Sequence, residues 1–129
     1  MIVVHNGQKV FVGWRYENPE LDQLLSENGI TQERARKMNE VEILAAVGRK
    51  TLPKPLVTHC IFTDEDKKVI ESASVTRFYK DPYDKDKARR YSLEKVLNIL
   101  YPGTEQKEVR AKFWQAYVMR GSSQPVTVA

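Results

Sequence analysis

Four segments of the chain are strand-like, and in the last of them hydrophobic and polar residues alternate with the period of two that is typical of strands. The four strands are expected at residues 2–5, 9–16, 57–63 and 68–78. Asn6-Gly7 lies between the first two strands and is typical of a type I′ hairpin turn. A charged turn at 64–67 joins the other two. The pattern therefore predicts two antiparallel hairpins.

Leucine and valine recur every three or four residues elsewhere, which predicts helices. Helical regions are expected after Asn18-Pro19 as far as Asn28-Gly29, over 31–47, over 84–100, and from a cap at Thr104 onward. Asn39 and Glu42 form a capping box inside the second region, which can therefore divide into two short helices.

The order ββ-αα-ββ-αα predicts an α+β fold, in which the two hairpins form an antiparallel sheet covered by helices. The length of 129 residues suits one domain, expected over 1–120. Residues 121–129 lack charge and periodicity and are expected to form a flexible tail.

The composition is that of an ordinary soluble protein, with 41% hydrophobic and 29% charged residues. No apolar run approaches the roughly 20 residues of a membrane span, and the N-terminus lacks the features of a signal peptide. A cytoplasmic location without membrane contact is therefore expected. Cys60 is the single cysteine, and we interpret it as a small buried hydrophobe. The net charge of +4 permits an anionic partner without requiring one.

Residues 77–90, RFYKDPYDKDKARR, place aromatic rings among cations, between a predicted strand and the start of a predicted helix. Rings stack on a flat ligand while Arg and Lys contact its negative charge, so the pattern favours a nucleotide-like ligand. The candidate ligand-binding residues in this segment are Phe78, Tyr79, Lys80, Asp81, Tyr83, Arg89 and Arg90. The alternative is a solvated turn stabilised by Asp–Lys pairs.

A second group of aromatic and basic residues lies on the last predicted helix. Its members are Arg110, Trp114, Tyr117 and Arg120. Arg110 and Trp114 are four residues apart and therefore neighbours on a helix. Aromatic residues on a closing helix favour a core or an oligomer interface over a ligand site.

The chain shows no catalytic signature, no cofactor motif and no metal-ligand spacing. His5 and His59 are the only histidines, and Cys60 is expected on the opposite strand face from His59. We therefore expect a non-catalytic protein without metal or cofactor; the alternative is acid–base catalysis by Glu42, Glu71 or an Asp, although no motif singles one of them out.

The stretch from VTHCIF to KARRYSLEKVL, followed by RAKFWQAY, resembles small accessory proteins of bacteriophages. Over residues 57–117 it is similar to the phage anti-Thoeris sponge family. That resemblance implies an oligomer that sequesters a cyclic ADP-ribose signal in the host cytosol, as counter-defence without catalysis. The residues matching the implied site are Lys80, Asp81, Tyr83, Arg89 and Arg110. Residues 17–52 have no counterpart in this resemblance.

Three hypotheses follow. The chain binds a small anionic nucleotide-like signal as a homo-oligomer, or it binds nucleic acid through the same rings and cations. The third hypothesis is a protein-interaction domain with Phe113, Trp114 and Tyr117 as anchors.

Overall fold

The computed structural model describes residues 1–78 and 80–120, together with the backbone of 126–128. These residues divide into two compact units. The sheet unit comprises Met1–Arg15, Thr58–Thr76 and Asp84–Ala129, and the helical unit comprises Tyr16–Val57 and Arg77–Tyr83. The expectation of one domain over 1–120 stays a prediction.

The predicted α+β class is confirmed: an antiparallel sheet is combined with helices. The elements are β1 (Ile2–His5), β2 (Gln8–Glu17), α1 (Pro19–Glu27), α2 (Gln32–Arg36), α3 (Glu40–Val47), β3 (Val57–Thr63), β4 (Val69–Thr76), α4 (Lys85–Leu100), α5 (Lys107–Val118) and β5 (Val126–Val128). A short 3₁₀ turn, Thr104–Gln106, precedes α5.

The predicted order ββ-αα-ββ-αα is wrong between the hairpins, where three helices lie instead of two, and after α5, where the strand β5 follows. The second helical region divides at Asn39, whose Oδ1 accepts a hydrogen bond from the Glu42 amide at 2.8 Å. Asn39 has extended backbone and is the N-cap of α3. A new cap inside the region ends one helix and begins the next.

The strands are arranged in the order β4-β3-β2-β1-β5. β1 and β2 pair antiparallel, with Val3 opposite Val10. Asn6 and Gly7 both have positive φ, 52° and 75°, as the predicted type I′ turn requires. β5 pairs parallel to β1 and falls within the segment predicted as a flexible tail. The rest of that segment, 121–125 and 129, lies outside the described residues.

The core of the sheet unit lies between one face of the sheet and the helices α4 and α5. Its buried residues are Val3, Val10, Val12, Cys60, Phe62, Leu93, Val96, Leu97, Phe113, Ala116 and Tyr117. Thr58, Cys60 and Phe62 alternate with more exposed residues along β3. The rings of Phe62 and Phe113 stack at 5.2 Å between centroids and join the sheet to α5. The interpretation of Cys60 as a buried hydrophobe is confirmed, since its exposed fraction is 0%.

The helical unit is fixed by local capping and by a small core. Asn18 caps α1 through its Oδ1, and its Nδ2 donates to the Pro53 carbonyl at 2.8 Å. Leu25 and Ile30 are the buried hydrophobic residues among the described part of this unit. Helix α3, in contrast, buries none of its eight residues.

The start of α5 differs from the prediction. Thr104 was expected to cap the last helix, but it begins the 3₁₀ turn, and Gln106 is the N-cap of α5 without a side-chain capping bond. Gly103, with φ of 83°, redirects the chain just before this turn.

Among the helices in the described ranges, none combines the length and hydrophobicity that crossing a bilayer requires.

Candidate functional site

Aromatic and arginine side chains from β2, α4 and the end of α5 meet in the sheet unit around one carboxylate. We call this group the arginine–aromatic cluster. It consists of Trp14, Asp86, Arg89, Arg90, Trp114, Tyr117 and Arg120.

Trp14 joins β2 to α4. The residue lies on the same strand face as Val10 and Val12, so its ring is directed towards the helices. The indole Nε1 donates to the Arg89 carbonyl at 3.3 Å. The Arg89 guanidinium carbon lies 5.5 Å from the centre of the Trp14 ring. Backbone and side chain of Arg89 are thus both held against one indole, within cation–π range.

Asp86, in the first turn of α4, gathers the polar groups of the cluster. Its Oδ1 accepts a hydrogen bond from the Tyr117 hydroxyl. Its Oδ2 lies 3.0 Å from Nε of Arg90, one helical turn later, and Oδ1 lies 4.0 Å from Nη2 of Arg120. The Tyr117 hydrogen bond, followed by the charges of Arg90 and Arg120, holds the pKa of Asp86 below its usual value.

Tyr117 is the buried centre of the cluster. Its ring makes edge contacts with Trp14 and Trp114, at 5.7 and 6.2 Å between centroids. The Arg120 guanidinium lies over the Tyr117 ring at 4.2 Å and donates to the Tyr117 carbonyl at 2.8 Å. Burial, with the hydrogen bond to Asp86, raises the pKa of Tyr117 to about 12. The hydroxyl therefore stays protonated and keeps donating at neutral pH.

The cluster presents an excess of positive charge at the surface. The cluster contains three guanidinium groups and one carboxylate, and the side chains of Arg90 and Asp86 are about half exposed, at 50% and 53%. Guanidinium groups offer several donors in a fixed plane, which suits phosphate oxygens. Trp14 and Trp114 are both half-buried. The cluster thus contains groups that are able to contact an anion and a flat ring.

Of the residues predicted for the segment 77–90, the structure brings Arg89 and Arg90 into this cluster, where they join Trp114, Tyr117 and Arg120 of the second predicted group. Phe78, Lys80, Asp81 and Tyr83 belong to the helical unit. Tyr79 lies outside the described residues.

The loop that carries the predicted aromatic residues is closed by Arg77. Its guanidinium Nη1 donates to the Asp81 carbonyl at 3.0 Å, and its Nε donates to the Pro55 carbonyl at 3.2 Å. The Asp81 amide donates to the Phe78 carbonyl at 2.9 Å. Phe78 is 58% exposed on this loop. The loop thus presents a ring to solvent from a backbone fixed by one arginine.

Arg110 holds the connection between α4 and α5. Its Nη1 donates to the carbonyl of Tyr101 at 2.5 Å and to that of Gly103 at 2.6 Å. Arg89 and Tyr101 are separated by most of the length of α4, about 18 Å along a helix axis. Within one chain, Arg110 and Arg89 therefore lie at opposite ends of α4.

The aromatic residues of α5 differ in accessibility. Phe113 is fully buried and Tyr117 nearly so, whereas Trp114 is half-buried. Only Trp114 of these three presents substantial surface for contact with a partner.

Trp14 and Asp86 were not recognised from the sequence as members of one site. The spacing of Asp86 and Arg90 is that of a helical ion pair, but nothing local in the sequence connects either residue to Tyr117. The signal that could have found Trp14 is its position two residues after Val12 and four after Val10, on the same strand face.

Histidine and cysteine lie apart from this cluster. Nδ1 of His59 lies 2.5 Å from the Ser74 hydroxyl, whereas Cys60 is buried in the core. Burial raises the pKa of the Cys60 thiol to about 12, so the nucleophilic thiolate is scarce at neutral pH. Within the part of the chain that the structure describes, no three His, Cys, Asp or Glu residues are grouped for metal binding.

No protein-family model, curated protein or solved structure gives a significant match to this chain.

Proposed function

We propose that the chain binds a small anionic nucleotide-like ligand at the arginine–aromatic cluster and sequesters it without chemical change. The observation that carries this proposal is the contact network that joins Arg89, Arg90 and Arg120 to two half-buried indoles of the sheet unit. Phosphate oxygens accept from the guanidinium groups, and a base stacks on an indole face.

The geometry supports binding because the arginines are fixed before a ligand arrives. Arg89 is held against Trp14, Arg90 is held by Asp86, and Arg120 is held by the ring and carbonyl of Tyr117. Less side-chain entropy is then lost when the ligand binds. Binding alone is proposed because the hydroxyl of the cluster, on Tyr117, is buried and its pKa is raised to about 12, which makes it a poor nucleophile at neutral pH.

The ligand class that we propose is a cyclic ADP-ribose type or cyclic nucleotide signal. Such molecules combine a purine ring with phosphate groups, which are the two features that the cluster suits. The resemblance of residues 57–117 to the anti-Thoeris sponge family motivates this choice, together with a role in phage counter-defence in the host cytoplasm.

The test is titration calorimetry with ADP-ribose and cyclic ADP-ribose, preceded by native mass spectrometry of the freshly purified protein. Mass spectrometry detects a co-purified ligand as excess mass that is lost on denaturation. Arg90→Ala and Arg120→Ala each remove one charged donor and are expected to weaken binding roughly 10- to 100-fold, equivalent to about 1.5–3 kcal/mol.

Arg15→Ala is the matched control. It removes the same charge from the neighbour of Trp14, but Arg15 is exposed and its side chain points to the opposite strand face. The control is expected to bind like the unmodified chain. Equal affinities for all three variants would show that the ligand binds outside the cluster. Absence of excess mass together with absence of binding to both probes would refute the proposed ligand class.

Single-stranded nucleic acid is the second candidate, since Arg90 is exposed enough to meet a polymer as well as a small molecule. The two functions differ in their dependence on salt. A backbone held at several phosphates loses affinity by orders of magnitude between 50 and 200 mM salt. Titration of a poly-dT oligonucleotide and of ADP-ribose at both salt concentrations therefore separates the two functions.

A further inference from the structure

Helix α3 is apolar, yet the described chain does not cover it. Its sequence, EVEILAAV, contains six apolar residues among eight, and none of the eight is buried. Val41 is 74% exposed, and Ala45 and Ala46 are exposed as well. A surface helix normally turns its apolar stripe towards a core. Part of the apolar surface of α3 faces solvent.

The exposed apolar surface forms a stripe suited to a second helix. Leu44, Ala45 and Gly48 lie three, four and seven residues after Val41 and therefore on the same side; Leu44 is half-buried, and Gly48 directly follows the last residue of α3. Ala45 and Gly48 are small, which permits close approach of a neighbouring helix. Ile43 and Val47 lie on another side of the helix and are half-buried.

The charges at the two ends of α3 indicate what covers this stripe. Glu40 and Glu42 are exposed at its N-terminal end, and Arg49 and Lys50 are exposed just after its C-terminal end. Two copies placed antiparallel bring the acidic end of each helix to the basic end of the other. Two parallel copies would bring like charges together. In the antiparallel arrangement, the positive end of each helix dipole also lies beside the negative end of the other, which is favourable.

We propose that α3 pairs antiparallel with α3 of a second copy of this chain about a two-fold axis. Val41, Leu44 and Ala45 form the contact, and each Glu42 faces Arg49 of the other copy. A two-fold axis brings the same patch of both subunits together. The patch on α3 is self-complementary, because its acidic end meets the basic end of the other copy. One short helix pair buries less than the roughly 1,200 Å² of a standard specific interface, so the dimer dissociates on dilution.

The test is sedimentation velocity over a concentration series of the full chain without ligand. We expect the mass to rise from 14.9 kDa towards twice that value as the concentration increases. Val41→Glu places a charge in the contact on both subunits and is expected to raise the dissociation constant at least tenfold. Ala45→Glu is the second variant, for use if circular dichroism shows that Val41→Glu misfolds.

Val118→Glu is the matched control, because Val118 is 79% exposed on α5 and receives the same change. It is expected to leave the dimer intact. A chain that stays monomeric at every concentration overturns the proposal. So does a dimer that Val41→Glu and Ala45→Glu leave intact, or one that Val118→Glu dissociates, since the last result places the interface on α5.

Charge reversal tests the orientation of the pair. Glu42→Lys and Arg49→Glu each create like-charge contacts across the two-fold axis and are expected to weaken the dimer. Combined in one chain, they restore opposite charges and are expected to recover most of the affinity. A double variant that is weaker than both single variants contradicts the antiparallel arrangement. Because these measurements contain no ligand, their outcome is independent of the proposed nucleotide site.

Discussion

The hydroxyl of Tyr117, near the end of α5, donates a hydrogen bond to the carboxylate of Asp86, in the first turn of α4. This bond joins the buried centre of the cluster to its exposed ion pairs. Asp86 also holds Arg90, and Arg120 lies over the ring of Tyr117. A change at either end of the bond is therefore expected to alter both the stability of the sheet unit and the positions of the arginines.

The stability of the folded chain at acidic pH depends on Asp86. Its pKa is lowered in the folded chain, chiefly by the Tyr117 hydrogen bond and then by Arg90 and Arg120. The folded state thus holds fewer protons at this group than the unfolded chain. The stabilisation is present above the ordinary value of 3.8 and is lost as the pH falls through the lower folded value.

Asp86→Asn is expected to be less stable than the unmodified chain at pH 7, with the difference shrinking below about pH 4. Urea midpoints between pH 3 and 7 measure this. Glu94→Gln removes an exposed carboxylate from the same helix and is the control. A difference between Asp86→Asn and the unmodified chain that stays constant over the whole range would exclude Asp86 as the source.

The stability of the folded chain at alkaline pH depends on Tyr117. Its pKa is raised from 10.0 to about 12 by burial and by the hydrogen bond to Asp86. Above pH 10 the unfolded chain releases this proton while the folded chain retains it. Stability therefore falls as the pH rises from 10 towards 12. Tyr117→Phe keeps the ring, lowers the urea midpoint modestly at pH 7, and is expected to flatten the fall above pH 10. A decline equally steep in Tyr117→Phe would contradict this assignment.

Cys60 is expected to be chemically silent in the folded protein. Its thiol is fully buried, and burial raises its pKa from 9.0 to about 12. Labelling with a disulfide reagent at pH 8 is therefore expected to be slow in native buffer, and rapid and stoichiometric in denaturant. Cys60→Ala with Ser72→Cys moves the thiol to an exposed position on β4 and is the fast-reacting control. Equal native rates for both proteins would show that the thiol is accessible.

The Cys60 thiol also lowers the stability of the folded chain as the pH rises, as Tyr117 does. Between pH 9 and 12 the unfolded chain loses the Cys60 proton and the folded chain keeps it. The loss of stability reaches at most about 1.4 kcal/mol per pH unit for one such group. Cys60→Ala is expected to remove this contribution, which begins one unit below that of Tyr117. Urea midpoints at pH 8, 9 and 10 compare the two proteins.

Local signals in the sequence predicted much of the fold because capping and turn chemistry act over three or four residues. Asn18 and Asn39 are N-caps, and Asn6-Gly7 forms its turn, as their patterns indicated. The capping signal at Asn39 was also recognised, but the predicted order still counted two helices instead of three. Thr104 has the chemistry of a cap, yet the chain reversal at Gly103 places it in a 3₁₀ turn.

The cluster could be predicted only in part, because its members are distant in sequence. Arg89 and Arg90 were recognised from their charged surroundings. Trp14 contacts Arg89 across 75 positions of the chain, and only the packing of β2 against α4 creates that contact. Arg110 was recognised from the sequence, but its structural role was not. Neither its charge nor its spacing from Trp114 indicated the two carbonyls to which it donates.

Substitutions of Arg110 test whether this arginine stabilises the fold or binds the ligand. Arg110→Ala leaves the carbonyls of Tyr101 and Gly103 without their charged donor and is expected to destabilise the chain by about 2 kcal/mol. Arg110→Lys retains the charge but not the planar donor group, so it is expected to recover only part of this loss. Urea denaturation measures both variants.

Binding of ADP-ribose by the same two variants decides the role of Arg110. Since Arg110 lies at the opposite end of α4 from Arg89, the folded variants are expected to bind as the unmodified chain does, whereas Arg90→Ala binds weakly at unchanged fold. If Arg110→Ala abolished binding while remaining folded, the ligand would have to reach the α4–α5 connection. In one chain that lies about 18 Å along α4 from Arg89. Such a result would require Arg110 of a second copy to complete the site.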